Sequence, residues 1–154
     1  MHKVYIQRAI ELADQNIDSG GGPFGAVIVR DNMIIAEASN KVTLQNDPTA
    51  HAEVLAIRKA GENLGTFDLS GCILYASCEP CPMCLGAIYW SRISEVYFAS
   101  DRKDAENAGF DDSLIYDELA RPMAARRLRM VQVSDEKAGV LFRKWDTKTD
   151  KERY

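Results

Sequence analysis

The chain of 154 residues lacks long apolar runs, internal repeats and low-complexity tracts. Its longest apolar stretches, such as residues 26–29, have the length of a strand, so the sequence predicts no membrane span. The first residues contain no apolar region of the signal-peptide type, and we therefore expect a cytoplasmic protein without a disulfide framework. A hydrophobic fraction of 46% and a charged fraction of 27% indicate a single globular domain with its own core.

Histidine is scarce, with two residues, whereas cysteine occurs four times. Without a disulfide framework, a metal site or a catalytic thiol is the better explanation for these cysteines. Positive charge is scarce over residues 1–120, where 18 Asp and Glu outnumber 9 Lys and Arg, while residues 121–154 form a basic tail. The acidic body argues against a nucleic-acid-binding face.

Apolar spacing and helix-breaking residues predict where the helices lie. The first helix carries a stripe at helical spacing, made of Ile6, Ala9, Ile10, Ala13 and Ile17. It ends at a glycine-rich segment before Pro23. A second helix is predicted to begin at Asp47-Pro48, with Asp47 or Asn46 as its cap, and to stop near Gly65. Further helices are predicted over residues 82–90, 113–119 and 139–145.

Short apolar runs predict five strands between these helices, at residues 24–29, 33–38, 72–76, 93–99 and 128–133. The first two flank a three-residue turn and form a hairpin. Because strands and helices then alternate, we expect largely parallel pairing beyond the hairpin. The sequence thus predicts an α/β protein, a three-layer α/β/α domain over residues 1–154 with a five-stranded mixed sheet.

His51 and Glu53 are followed by Cys81 and Cys84 in the pattern His-x-Glu…Pro-Cys-x-x-Cys. One imidazole and two thiolates suit zinc and leave a fourth tetrahedral position open, which is typical of a catalytic site. The two cysteines, three residues apart, can reach one point at a helix start, where the helix dipole favours thiolates. The histidine and the glutamate converge only in the first turn of a helix, so two helix N-termini are predicted to meet at one zinc ion.

Glu53 is the predicted proton shuttle, since a carboxylate beside a metal can exist in both protonation states. Two other interpretations of the cysteines stay open at this point. Cys72 or Cys78 would supply a fourth ligand in a structural zinc site. Alternatively, Cys81 and Cys84 would form a redox pair, although such a pair needs no His-x-Glu.

Three segments, residues 23–29, 46–53 and 77–90, resemble the cytidine deaminase-like superfamily of zinc deaminases. Within it the chain is most similar to the bacterial guanine deaminases, because of the Ser77-Cys78 pair and residues 109–113. The resemblance implies a zinc hydrolase, with one ion per subunit, that converts guanine to xanthine and ammonia. A tRNA adenosine deaminase, which shares the central motifs, and a zinc module without enzymatic activity are the alternatives. The acidic body counts against the tRNA substrate.

The resemblance also implies a substrate-binding set beyond the zinc ligands and the proton shuttle. Asn40 would hydrogen-bond the base, Phe24 would form a pocket wall, and the backbone of Ala52 would lie near the reacting atoms. Asp112 would approach the leaving amine, and the C-terminal Tyr154 would lie near the site. Four of these residues have an ordinary structural alternative: a turn residue for Asn40, a core side chain for Phe24, a helix cap for Asp112 and a frayed terminus for Tyr154.

Finally, the resemblance implies a homodimer that exchanges C-terminal segments, about residues 105–154. In such a dimer Asp112 and Tyr154 would serve the partner's pocket. The acidic body and the basic tail are consistent with this docking. The expected partners are therefore guanine and a second copy of the chain, with neither a membrane nor a nucleic acid.

Overall fold

The computed structural model describes all residues, 1–154, and its elements follow one another along the chain as α1 (His2–Asp18), β1 (Gly25–Arg30), β2 (Met33–Ser39), α2 (Val42–Gln45), α3 (Ala52–Leu64), β3 (Ile73–Cys78), α4 (Pro82–Trp90), β4 (Glu95–Ser100), α5 (Arg102–Asn107), α6 (Ser113–Ala120), a 3₁₀ turn (Met123–Ala125) and α7 (Glu136–Thr147). The chain divides into two compact units, Met1–Ser113 and Leu114–Tyr154. None of the helices combines the length and the apolar character that crossing a membrane requires.

The sheet lies in the first unit and has four strands in the order β2-β1-β3-β4. The five-stranded prediction is wrong, because residues 128–133 are exposed and irregular and pair with no neighbouring strand. The hairpin of β1 and β2 is confirmed, whereas the parallel pairing expected beyond it holds for only one of the two remaining pairs. Strand β1 runs antiparallel to both β2 and β3, and only β3 and β4 are parallel. The crossover through α3 does make β2 and β3 point the same way, but β1 lies between them.

The core of the first unit lies on both faces of this sheet. On one face, Ile28 and Leu74 pack with the small residues Ala56 and Ala60 of α3 and with Ile88 of α4. On the other face, β1 and β3 pack against α1. Small side chains on α3 allow the helix to approach the sheet closely. The predicted three-layer α/β/α arrangement is therefore present in this unit.

Helix α1 buries only part of the predicted stripe. Its buried residues are Ala9, Ala13 and Asn16, whereas Ile10 and Ile17 are 45% and 53% exposed. Positions 9, 13 and 16 follow the helical spacing of four and three residues. A polar side chain thus occupies the buried face where an apolar one was expected.

Helix α3 begins at Ala52, five residues after the predicted start at Asp47. The Asp47 carboxylate accepts hydrogen bonds from the N–H and the hydroxyl of Thr49, at 2.8 and 2.7 Å. These bonds close a local turn, so Asp47 does not cap the helix. The C-terminus agrees with the prediction, because Gly65 adopts a left-handed conformation there with φ of 65°.

The second unit contains the two predicted helices α6 and α7. None of its residues from 114 to 154 is buried. Apolar side chains of α7 are exposed to solvent, among them Leu141 at 67% and Phe142 at 77%. This unit therefore has no core of its own.

Candidate active site

The three predicted zinc ligands lie together in the first unit. The Nδ1 atom of His51 is 3.5 Å from the Sγ atoms of both Cys81 and Cys84, and all three ligand atoms lie within 4.8 Å of one another. A tetrahedral zinc ion with ordinary bond lengths separates a nitrogen and a sulfur ligand by about 3.5 Å. One imidazole and two thiols at this separation fit zinc, both in donor chemistry and in geometry.

Two helices begin at these ligands, as the spacing predicted. His51 is the N-cap residue of α3, and its carbonyl accepts the Leu55 N–H at 3.0 Å. Cys81 is the N-cap residue of α4, and Cys84 lies in the first turn of that helix. Neither N-cap side chain makes a capping hydrogen bond. The unpaired N–H groups of both first turns give this point a positive potential, which favours anionic ligands.

The protein groups already favour one thiolate at this point. The hydrogen bond from Cys84 lowers the pKa of the Cys81 thiol to about 4, against the opposing effect of burial, and the bond with His51 adds to the decrease. The hydrogen bond with Cys81 in turn raises the pKa of His51. A cysteine that ionises this readily is suited to metal binding.

Glu53 is buried beside the ligand group, with only 7% of its surface exposed. The Cys84 thiol donates to its Oε2 atom at 3.4 Å. Burial raises the pKa of this carboxyl above its ordinary value. A carboxyl group in such an environment can hold a proton part of the time, as a proton shuttle must.

Asn40 and Phe24 are joined by a backbone hydrogen bond, in which the Asn40 N–H donates to the Phe24 carbonyl at 2.9 Å. The Asn40 side chain is buried, and its oxygen accepts from the Val42 N–H at 3.2 Å. Its NH₂ group donates no hydrogen bond within the chain. The Phe24 ring meets Phe110 edge to face at 5.0 Å. Phe110 is a neighbour that the sequence did not single out, although it lies in the predicted 109–113 segment.

Asp112 is partly buried at the end of the first unit. Burial is the first cause that raises the pKa of its carboxyl, and the negative charge of Cys81 is the second. Its neighbour Asp111 accepts the Ser113 N–H at 2.8 Å, which closes a turn before α6. Tyr154 belongs to the second unit, where it is 75% exposed, and its predicted role stays a prediction.

The remaining predicted residues have clear positions. Ala52 is fully buried as the first residue of α3. Cys72 lies in the apolar core, and Cys78 donates to the Asp101 carbonyl at 3.6 Å. Burial raises the pKa of the Cys78 thiol to about 11. Neither thiol belongs to the ligand group, so no fourth cysteine closes the site.

Asn16 is the residue near the site that the sequence analysis missed. Its side chain donates to the Asn40 carbonyl at 2.7 Å. The signal was present in the sequence, because Asn16 continues the helical spacing of Ala9 and Ala13. A polar residue on the buried face of a helix needs hydrogen-bond partners, and this rule would have identified it.

Comparison with known proteins extends these observations. The family model of the cytidine and deoxycytidylate deaminase zinc-binding region matches residues 1–100. A guanine deaminase from Bacillus subtilis is 52% identical over 154 residues, which are 99% of this chain and 99% of that protein. The crystal structure of the B. subtilis guanine deaminase matches with a TM-score of 0.97 and covers 100% of this chain and 99% of that chain.

Two further relatives are less similar to this chain. A solved guanine deaminase from Nitrosomonas europaea is 32% identical, with a TM-score of 0.68, and covers 91% of this chain and 81% of that one. A tRNA-specific adenosine deaminase from Aquifex aeolicus is 44% identical over 100 residues, which are 64% of this chain and 66% of that protein. The similarity to guanine deaminases thus includes most of the second unit, whereas the similarity to the tRNA enzyme covers about two thirds of the chain.

Proposed function

This chain belongs to the zinc-dependent cytidine and deoxycytidylate deaminases, and within them to the guanine deaminases, and we propose that it hydrolyses guanine to xanthine and ammonia as part of purine metabolism. The observation that carries the proposal is the buried Glu53 carboxyl within 3.4 Å of a thiol of the three-ligand group. The similarity to guanine deaminases along the whole chain supports this substrate.

His51, Cys81 and Cys84 would hold the zinc ion, which when bound supplies a Lewis acid that lowers the pKa of water towards neutrality. Glu53 lies beside these ligands and is placed to take a proton from the attacking water. It would then donate that proton to the ring nitrogen next to C2 and afterwards assist the departure of the amine. The C2–O bond forms in this first step. The proton of the new hydroxyl would then pass through Glu53 to the amine, the C2–N bond would break, and ammonia would leave.

Asn40 and Phe24 are proposed to orient the base. The Asn40 NH₂ group, which has no partner within the chain, would donate to an acceptor atom of the purine. The Phe24 ring would lie against the planar base, with Phe110 supporting its edge. The first N–H groups of α3, beginning at Ala52, would face the polar edge of the substrate.

Asp112 is proposed to assist the leaving amine. The pKa of its carboxyl is raised above the ordinary value, first by burial and then by the negative charge of Cys81. A carboxyl of this kind can exchange a proton with a departing amine more readily than one at its ordinary pKa. Because Asp112 lies in the compact unit that ends at Ser113, this role is assigned to its own chain.

We also propose that the chain forms a homodimer by exchanging its C-terminal segment. Within the predicted segment of about residues 105–154, the exchanged part would be the second unit, Leu114–Tyr154. The support is that this unit has no buried residue and exposes apolar side chains along α7. Exposed apolar surface of this extent is typical of an interface. In the exchanged dimer Tyr154 would lie near the site of the partner.

The reaction is proposed to take place in the cytoplasm. All four cysteines are free thiols, and two of them are needed as metal ligands. A reducing compartment keeps such thiols available, whereas an oxidising one would pair them.

A substrate panel with ammonia detection tests the proposal. The zinc-loaded protein is incubated with guanine, adenine, cytosine, cytidine and a tRNA that carries the adenosine target. We expect turnover of guanine at least about 100-fold above the other substrates. Turnover of the tRNA or of another base, with none of guanine, would overturn the substrate assignment.

A further inference from the structure

The side-chain amide of Asn16 makes every hydrogen bond that a carboxamide can make. Asn16 is 2% exposed, and its Nδ2 atom donates to the carbonyls of Gly22 and Asn40 at 2.8 and 2.7 Å. Its Oδ1 atom accepts from the Ser39 hydroxyl at 3.1 Å and from the Lys41 ammonium at 2.8 Å. Two donors and two acceptor positions are all that a carboxamide offers. The amide therefore ties α1 to the glycine-rich loop and to the end of β2.

The glycine-rich loop packs closely against the side chain of Asn16. A Cβ atom on Gly21 would lie 2.3 Å from the Nδ2 atom of Asn16, and one on Gly22 would lie 3.2 Å from the Oδ1 atom of Asn40. The same atom on Gly22 would lie 3.5 Å from the Phe24 ring. These two glycines allow the backbone to pass between Asn16 and the two proposed base-binding residues.

We propose that Asn16 is a positioning residue for substrate binding, which holds the Asn40 backbone so that the Asn40 NH₂ group meets the purine. This inference rests on the proposed function, in which Asn40 binds the base. Asn16 itself acts through Asn40 and the loop. Its two hydrogen bonds on the Nδ2 side fix the Asn40 carbonyl and the loop that leads to Phe24.

The replacement Asn16→Asp changes one atom of this arrangement. The carboxylate keeps an acceptor for Ser39 and Lys41, but an oxygen replaces the NH₂ group. That oxygen would face the carbonyls of Gly22 and Asn40, with no proton to share. Because a buried carbonyl then loses its donor, the segment that carries Asn40 is expected to shift.

The first measurement is steady-state kinetics on guanine for the wild type, Asn16→Asp, Asn40→Ala and the double variant. We expect Asn16→Asp to raise KM about tenfold with a smaller change in kcat, which is the signature of lost substrate binding. On the Asn40→Ala background the same change should have no further effect, because the two residues act together. An Asn16→Asp protein with wild-type kcat/KM, or an equal loss on both backgrounds, would overturn the proposal.

The second measurement does not depend on activity. The side-chain amide resonances of Asn40 are assigned by their absence in Asn40→Ala, and we expect them to shift or broaden in Asn16→Asp. The matched control is Ser91→Ala, which removes another buried hydrogen bond, from the Ser91 hydroxyl to the Ile88 carbonyl at 2.9 Å. Unchanged Asn40 resonances in Asn16→Asp, or equal shifts in the control, would contradict the proposal. If the wild type fails to deaminate guanine, the proposed function is wrong and this measurement still decides the role of Asn16.

Should Asn16→Asp not fold, Lys41→Met provides the same two readouts. This variant removes the ammonium group that donates to Asn16 at 2.8 Å and keeps most of the aliphatic stem. It removes one hydrogen bond of the Asn16 amide and keeps the amide itself. We therefore expect KM and the Asn40 resonances to change in the same direction as in Asn16→Asp, but by less. A folded Lys41→Met protein without either change would overturn the proposal.

Discussion

The two compact units of the chain differ in how they bury their apolar residues. The unit Met1–Ser113 has a sheet that is covered on both faces, and it holds the zinc ligands and Glu53. The unit Leu114–Tyr154 has helices but no buried residue. The first unit therefore carries the chemistry on a stable core, whereas the second requires another surface to cover it. Five substitutions can break or sharpen this comparison.

Glu53→Gln is expected to have the largest effect, because the amide keeps the shape of the side chain but cannot shuttle a proton. We expect kcat for guanine to fall by about 10³-fold while zinc remains bound. Ammonia release and metal content measured on the same sample check this result. The control is Glu62→Gln, an exposed position on the same helix, which should retain activity. Retained turnover in Glu53→Gln would remove Glu53 from its role.

Leu74→Ala tests whether the first unit depends on its own core. Leu74 is fully buried in β3, so the truncation leaves a cavity and should lower the free energy of unfolding by about 2–5 kcal/mol. Urea denaturation measures the change. Leu44→Ala, at a position that is 48% exposed, should cost far less. Equal costs at the two positions would contradict the assignment of the core.

Phe142→Ser tests whether a second copy covers the second unit. Phe142 is 77% exposed on α7, and loss of an aromatic anchor at an interface weakens association by about 2 kcal/mol. We expect the dimer Kd to rise about 30-fold, as measured by light scattering over a concentration series. Lys144→Ser on the same helix should leave it unchanged.

A monomeric wild type at micromolar concentration would contradict the proposed exchange. The role of Tyr154 is tested in mixtures of Glu53→Gln and Tyr154→Ala chains. If Tyr154 acts on the partner's site, the mixture should be more active than Tyr154→Ala alone, because the Glu53→Gln chain supplies an intact tyrosine. Activity equal to the simple average of the two proteins would show that Tyr154 does not act across the dimer.

Arg8→Gln should have the smallest effect, and the size of this effect depends on pH. The hydrogen bond from Arg8, at 2.9 Å from Nε to Oε2, lowers the pKa of Glu37 below its ordinary 4.5. The carboxylate therefore stabilises the fold above the unfolded-state pKa, and this contribution is lost as the pH falls through the lower folded-state value. Both side chains are about one third exposed, so the pair contributes under about 1 kcal/mol at neutral pH. The difference in unfolding free energy between wild type and variant should shrink in acid, and a difference that grows would contradict this sign.

The sequence predicted the chemistry of this protein better than its topology. The zinc ligands and the start of α4 at Pro82 follow from local spacing, because each depends on a few neighbouring residues. The start of α3 was placed too early because Asp47 hydrogen-bonds Thr49, a turn that competes with a helix cap. The antiparallel position of β1 between β2 and β3 depends on pairing between distant segments, which periodicity does not report.

The wrongly predicted strand and the overlooked Asn16 both depend on partners that are distant in the sequence. Residues 128–133 have the apolar character of a strand, but a strand forms only where another one is present to pair with it. Asn16 was overlooked because apolar spacing was counted and polar residues on the same face were not. Its partners, such as Gly22 and Asn40, lie 6 and 24 residues away in the sequence.

The two helices that meet at the zinc ligands begin without the residues that best start a helix. A serine, threonine or aspartate at an N-cap position stabilises a helix by about 1 kcal/mol relative to a residue that cannot cap. His51 and Cys81 occupy these positions in α3 and α4, and neither side chain makes the capping bond. The fold thus gives up stability at two helix starts in exchange for reactivity. A search for thermostable variants would select substitutions at these two positions. Such variants would lose the zinc ligands and with them the activity, unless catalysis were selected at the same time.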